Sequence, residues 1–248
     1  MKTSKLPFVL HLLAALAILS GCGQAPKPAQ VTLADLQITN AQASVGMTRC
    51  DARAGSKIRI EGTSNIHDWQ VEGSLIGGYL EAGPGFPLEP GQAVTPGKVP
   101  ARAEAFIPVR GLKSVEKDGK PYSDMMDKVM YEHLKVADDP KARIAYYLTE
   151  VVLKEPAKSN GAPYLFDSRG QLVVAGVTNE ISMPVNVLPL GEKKLRISGS
   201  IKVKMTDFKV EPPCPALAVG LIKTGDEVKL IFEWNVGPKA VPAATSSK

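Results

Sequence analysis

The sequence predicts an all-β fold with one inserted helix, closed as an antiparallel barrel, and three observations carry that expectation. First, Leu195–Met205 (LRISGSIKVKM) alternates with period two. Leu195, Ile197, Ile201, Val203 and Met205 share one face, and Arg196, Ser198, Ser200, Lys202 and Lys204 share the other. Eleven residues at roughly 3.3 Å each span about 36 Å, against a usual strand of five or six residues. Second, only one segment of any length after the N-terminal apolar run changes to helical period. Third, no strand–helix–strand rhythm appears, which argues against a parallel sheet. Long strands with one dry face leave long edges, and closure of the sheet removes them.

The chain opens on MKTSKLPFVLHLLAALAILSGC. Lys2 and Lys5 form a short positive region, and the apolar run Leu6–Leu19 is too short to span a bilayer comfortably. The small residues before Cys22 resemble a bacterial lipoprotein signal. In such signals the leader is cut before the cysteine, which carries the lipid. The expectation is a leader over 1–21 and lipidation at Cys22, leaving 227 residues and a net charge that falls from +5 to +3 with the loss of the two lysines. Gly23-Gln24-Ala25-Pro26-Lys27-Pro28-Ala29-Gln30 reads as a flexible tether. The barrel domain is expected over 56–237, after an anchor, tether and extension over 22–55, with a polar disordered tail over 238–248. Val31–Gly55 is open between strand and helical turn.

Each later element follows from its pattern. Ser56–Glu61 places Ile58 and Ile60 on one face, and Gly62–Asn65 reads as a turn. His67–Ile76 groups Trp69, Val71 and Leu75. Gly77–Gly97 is rich in glycine and proline and reads as a loop or irregular arm. Val99–Val109 alternates again. Ser123–Leu134 (SDMMDKVMYEHL) puts Met126, Val129, Met130 and Leu134 at helical spacing, with Ser123 or Asp124 as its cap. Ala142–Leu153 groups Ile144, Tyr146, Leu148 and Val152. Leu165–Ala175 is a further strand. Gly176–Asn179 is turn-like, and Ile181, Met183, Val185 and Val187 alternate after it. Val228, Leu230, Phe232, Trp234 and Val236 make the last strand.

Chemistry-bearing motifs are scarce. There is no GxSxG, P-loop, GxGxxG, HExxH or CxxC. His67-Asp68-Trp69 stands out, but strand neighbours point to opposite faces, so His67 and Asp68 do not readily form a dyad. A hydrogen bond from His67 that fixes the start of its strand is the plainer reading. His67, His133 and scattered carboxylates offer no metal-ligand spacing. No basic run suggests nucleic acid. Besides Cys22, Cys50 and Cys214 form an even pair in an oxidising compartment, and the sequence leaves two alternatives, a disulfide between them or two unrelated thiols.

The apolar inventory is richer. Met125, Met126, Met130, Met183 and Met205 accompany Trp69, Phe208, Phe232 and Trp234, and methionine adapts its shape to irregular guests. The candidate pocket wall is Trp69, Val71, Leu75, Met126, Met130, Met183, Val185, Ile197, Ile201, Val203, Met205, Phe208, Phe232 and Trp234. Ordinary core packing competes for each of them, since a barrel of about eight strands can be filled by its own side chains or hold a small ligand.

Four segments in order resemble the YceI-like family of polyisoprenoid-binding periplasmic proteins. They are GTSNIHDWQVEG (Gly62–Gly73), AFIPVRGLKS with MMDKVMYEHL (Ala105–Ser114 and Met125–Leu134), GQLVVAGVTNEISMPV (Gly170–Val185) and ISGSIKVKMTDFKVEPP (Ile197–Pro213). The resemblance covers roughly Ser56–Val236. Lys209 stands where such proteins often have glycine, and the Gly77–Gly97 loop is long for them. The resemblance implies an extended lipocalin-like barrel of about eight strands with an elongated apolar pocket, and no catalytic residues or cofactor. The expected ligand is a long-chain amphiphile such as a polyisoprenoid. The expected setting is the periplasmic face of the envelope, with membrane attachment through the N-terminal lipid. Gly23 in place of the Asp that resembles an inner-membrane retention signal favours the outer membrane. Two rival roles are a solid barrel serving as an interaction scaffold and an enzyme acting through His67 at the barrel mouth.

Overall fold

The computed structural model describes residues 46–139, 141–214 and 222–238. The expected leader, Cys22, the tether and the tail beyond residue 238 lie outside the described residues. Within them the chain forms β1 (Thr48–Ala52), β2 (Lys57–Ser64), β3 (Trp69–Gly73), β4 (Gly77–Ala82), β5 (Gly97–Lys98), β6 (Ala101–Pro108), β7 (Lys113–Val115), α1 (Asp124–His133), β8 (Arg143–Glu155), β9 (Tyr164–Val174), β10 (Val177–Gly191), β11 (Lys194–Lys204) and β12 (Thr224–Pro238).

All pairings are antiparallel, and the hydrogen-bonded order β1-β4-β6-β8-β9-β10-β11-β12 returns to β1. The result is a closed barrel of eight strands. Its first half is built from interrupted strands. β12 pairs with β1 near its end (Ala52 opposite Val236) and with β2 along its length (Ile58 opposite Phe232). β1 and β2 are therefore one strand line broken at Arg53–Ser56. In the same way β3 and β4 lie along it, and β7 and β6 follow. The ambiguous segment before Gly55 thus supplies β1, a barrel strand.

The staves are fully paired at one end only. β6 meets β8 from Pro108 opposite Arg143 to Glu104 opposite Tyr147, but β7 has no such pairing with β8. The chain between β7 and β8 forms α1, which packs against β7 at this parting of the wall.

Two local departures from strict alternation have clear causes. In β8 the register slips between Leu148 and Glu150 against β9, so one residue bulges. The inward face moves from Ile144, Tyr146 and Leu148 to Val151 and Leu153, which are both buried. The expectation that Val152 continues the inward face fails for that reason. The β9–β10 hairpin turns on Ala175 (φ 49°) and Gly176 (φ 82°), a two-residue turn requiring positive φ at both positions. It is tighter than the Gly176–Asn179 turn expected, and β10 already begins at Val177. Likewise Gly62–Ser64 continues β2 rather than turning.

The glycine- and proline-rich arm is no free loop. Its first six residues are β4, and the rest folds over the end of the barrel away from α1. Phe86 is buried and stacks on Phe166 with ring centroids 5.3 Å apart. Tyr164 donates its hydroxyl to Gln92 O at 2.7 Å, and Glu89 accepts from Lys193 N at 3.1 Å. This arm closes the end of the barrel.

Cys50 and Cys214 do not pair. Cys50 is buried on β1 and donates its thiol to Lys193 O at 3.5 Å, while Cys214 is an exposed free thiol. Cys50 lies opposite Pro238, and Cys214 follows Pro213, which lies with Thr224 at the helix end. The fifteen residues of β12 separate those ends, on the order of 45 Å. A disulfide needs Cα atoms within about 7 Å.

Candidate functional site

Helix α1 is fixed at the open end by polar groups that its apolar pattern does not announce. Ser123 caps it, its hydroxyl accepting from Met126 N at 3.3 Å. Asp127 is 5 % exposed on the inner side of the helix. Its carboxylate accepts from Ser114 N at 2.7 Å and pairs with Lys113 Nζ at 3.0 Å. Burial works to raise this carboxyl, and the Ser114 amide and Lys113 ammonium outweigh it, holding it below the ordinary carboxylate range. Tyr131 adds a bond from its hydroxyl to Leu112 O at 2.8 Å. The helix is thus latched to β7 across the parting between β7 and β8.

Beneath it lies a cavity of about 520 Å³, within the 300–1,000 Å³ usual for small-molecule sites. Among the expected residues, Trp69, Val71, Met126, Met130, Val203, Met205 and Phe208 line this mouth compartment. Trp69 lies flat across Gly62, where any Cβ would overlap its ring, and donates Nε1 to Thr63 O at 3.1 Å. His67 and Tyr122 share a hydrogen bond at 3.0 Å on the rim, and His67 Nδ1 lies 2.8 Å from Asp68 O. These bonds tie the β2–β3 turn to the approach to α1, as expected for a positioning histidine. Ile66, Tyr122 and Met125 are exposed at the same rim.

A second, narrower compartment of about 120 Å³ runs deeper into the barrel. Met183, Val185, Ile197, Ile201, Phe232 and Trp234 from the expected set line it. Ile144, Leu172 and Leu230 line both compartments, so the two adjoin and share walls. Ile197 to Val203 on β11 run along both compartments, about 20 Å at the usual strand rise. The wet face of the same strand carries exposed ion pairs, Arg196 with Glu233 at 3.5 Å and Lys202 with Glu227 at 2.7 Å.

Leu75 is a correction. It is 55 % exposed and lines neither compartment. β3 ends at Gly73, the alternation breaks there, and Ile76 takes the inward position instead.

The inner wall also holds side chains that the sequence did not single out. Ala103, Ala105 and Ile107 of β6 face inward, and Phe86 arrives from the arm. The alternation of β6 signalled the first three, while nothing local signals Phe86. Tyr146 lies across Gly170, where a Cβ would sit 2.7 Å from its hydroxyl, and reaches Ser168. Ser168 donates to Met183 O at 3.2 Å, so at the 3.2 Å contact between the two hydroxyls Tyr146 is the donor. Burial raises the Tyr146 phenol, and the bond to Ser168 works against it. Among the described residues, Trp234 Nε1 is the one buried side-chain nitrogen or oxygen with no hydrogen-bond partner.

An open groove outside the barrel, near Glu61, Lys117, Lys202 and Lys229, carries mixed charges, and its Lys202 is already paired with Glu227. Among the described residues no group of His, Cys, Asp or Glu side chains could hold a metal ion. No described helix is long and apolar enough to cross a membrane. The arrangement can enclose an elongated apolar molecule.

Comparison with known proteins agrees with this geometry. The model of the YceI-like domain family matches residues 91–236, more than half of the chain. No curated protein matches. The crystal structure of Burkholderia cenocepacia BcnA is similar with a TM-score of 0.51 at 14 % identity, covering 73 % of this chain and 95 % of that one. The structure of a polyisoprenoid binding domain from Saccharophagus degradans, implicated in plant cell wall breakdown, is similar with a TM-score of 0.55 at 12 % identity, covering 77 % and 99 %. At such identities the likeness is one of fold.

Proposed function

We propose, from the premise that this chain belongs to the YceI-like domain family, that its barrel binds and carries or sequesters a long-chain lipid of isoprenoid type without chemically altering it. The observation that supports this reading most is the pair of adjoining apolar compartments inside the barrel, one beneath α1 and one toward the arm-closed end. Taken together they suit an extended chain, and the flexible Met126, Met130, Met183 and Met205 that line them suit a guest of irregular outline. Each methylene buried contributes about 0.8 kcal/mol before ordering costs, so a chain of many carbons has ample driving force. The polyisoprenoid-binding description of the Saccharophagus degradans domain points the same way. Extraction of gently purified protein with organic solvent, followed by mass spectrometry, tests the proposal. A stoichiometric long-chain lipid is the expected result. Protein that neither releases a lipid nor takes one up from added chains would overturn it.

We further propose that the protein works at the periplasmic face of the envelope, held by acyl chains on Cys22, with the outer membrane favoured over the inner. The leader pattern and the small residues before Cys22 support this. Labelling with an alkyne fatty acid should mark the wild type and not Cys22→Ser, and equal labelling of both would refute it.

A further inference from the structure

Among the described residues five large apolar side chains stay exposed, and three of them meet at one place. Ile66 in the β2–β3 turn is 60 % exposed, Met125 in the first turn of α1 is 53 % exposed, and Tyr122 just before that helix is 45 % exposed. All three also line the mouth compartment. The exposed apolar surface therefore passes without a break into the cavity beneath α1. The other two, Leu75 and Leu190, line neither compartment. Single exposed apolar residues are ordinary, whereas a cluster of them around an opening marks a contact surface.

Size, charge and the reach of the chain narrow what meets this rim. Three half-exposed side chains around a hole fall well short of the about 800 Å² per partner that a stable protein interface buries. The segments that carry the rim, 64–68 and 116–128, hold three lysines against five carboxylates, so there is no basic collar to read an anionic surface. Isoleucine, methionine and tyrosine are side chains that enter the interfacial zone of a bilayer. The hydroxyl of Tyr122 is already provided for. His67 Nδ1 lies 2.8 Å from Asp68 O and so carries the ring proton, which leaves Nε2 to accept from the Tyr122 hydroxyl at 3.0 Å. The chain enters the barrel at the opposite end, where Cys50 of β1 lies opposite Pro238. Twenty-four peptide units link Cys22 to Gly46, a contour of about 80 Å, against on the order of 45 Å for β12. An acyl anchor at Cys22 therefore leaves the mouth able to meet the same membrane.

Resting on the lipid-binding reading above, we propose that the α1 end of the barrel docks on the membrane itself: Ile66, Tyr122 and Met125 enter the interfacial zone of the bilayer, and a lipid passes between bilayer and cavity without crossing water. Passage through water would expose every methylene of the chain. The contact is apolar, so it depends little on salt or on lipid charge.

The chain from residue 22 onward with Cys22→Ser carries neither leader nor acyl group, so any binding to vesicles is the barrel's own. Cys214, exposed beside the mouth residue Pro213, takes a bimane label. Leu190→Cys in a Cys214→Ser background takes one at the far end, next to the β10–β11 hairpin where Lys193 meets Glu89. With phosphatidylcholine vesicles whose acyl chains are brominated, the label at Cys214 should shift blue and be quenched, and the label at position 190 should do neither. Ile66→Asp and Met125→Asp should each weaken vesicle binding about tenfold, and Leu190→Asp should leave it unchanged. Affinity should hold within about twofold between roughly 0.1 and 1 M salt. Mouth docking is overturned if no vesicles are bound, if both labels respond alike, if the rim variants bind as the parent does, or if salt abolishes binding. A dimer in gel filtration that the rim variants convert to monomer would show a second copy on the rim and overturn it as well. Lipid binding is read separately, by extraction from protein that has met no vesicle. Lipid recovered there without docking sinks this proposal alone. Docking by protein that never holds a lipid fails the lipid-binding reading, and the transfer role falls with it.

Discussion

Replacing Asp127 by alanine should loosen the helix that roofs the cavity, and the size of the effect can be worked from its two contacts. Ser114 N loses a bond of 2.7 Å to a carboxylate, and Ser114 is 2 % exposed, so water does not readily take its place. That loss costs about 1–3 kcal/mol. The Lys113 partner is 58 % exposed, so the ion pair adds no more than about 1 kcal/mol after screening. The expected sum is about 1–4 kcal/mol for Asp127→Ala. Asp127→Asn, which keeps an acceptor for Ser114 N, should cost about 1 kcal/mol. In thermal melts at pH 7 the alanine figure corresponds to a fall of roughly 2–16 °C. The pH dependence has a defined sign. The Asp127 carboxyl titrates below its ordinary range when folded, so its contribution is present above about pH 4 and fades as pH falls through the lower folded value. The gap between wild type and alanine should therefore narrow in strong acid. Amide exchange in α1 should also quicken at pH 7. A gap as wide at about pH 2.5 as at pH 7, or unchanged protection of α1, would refute the latch.

Four other outcomes are expected. Ala105→Trp puts a large ring into the inner compartment and should cut extractable lipid severalfold while the circular dichroism spectrum stays that of a β protein; undiminished lipid would show that the inner compartment is not used. Gly62→Ala drives a methyl into the Trp69 ring and should cost about 1–3 kcal/mol in denaturant unfolding, and an unchanged midpoint would mean that Trp69 is free to move away. Lys209 sits at φ 56°, in the left-handed region, so Lys209→Gly should relieve strain of about 1–2 kcal/mol, partly offset by about 0.4–1 kcal/mol of unfolded-chain entropy; a destabilised variant would refute that account. In protein lacking Cys22, one thiol should react at once with a disulfide reagent and a second only on unfolding, because Cys214 is exposed and burial raises the Cys50 thiol. No free thiol would restore the disulfide.

The candidate wall was legible to a large degree because period-two alternation sorts side chains before any contact is known. On β11 and β12 it assigned Ile197, Ile201, Val203, Phe232 and Trp234 to the interior without correction. It failed where the backbone departs from regular strand. Leu75 sits beyond the end of β3, and Val152 sits beyond a bulge that resets the face of β8. Asp127 was harder, though a signal exists: it falls on the same helical stripe as Met130 and Leu134, and an acid on an apolar stripe calls for a partner.

By itself the sequence determined the strand periods, the one helix of the barrel domain, the scarcity of catalytic motifs and, through four ordered motifs, the family resemblance. Those are local properties, written in spacing and residue type. The tertiary structure alone decided that β1 joins β12 and β4 to close the ring, that the glycine-rich arm plugs one end with Phe86, and that α1 roofs the other. It alone separated Cys50 from Cys214 by the length of a strand and buried Trp234 Nε1 without an acceptor. Each of these depends on which distant residues meet, and on whether the packed side chains fill the barrel or leave it hollow. Neither is encoded in the alternation of any single strand.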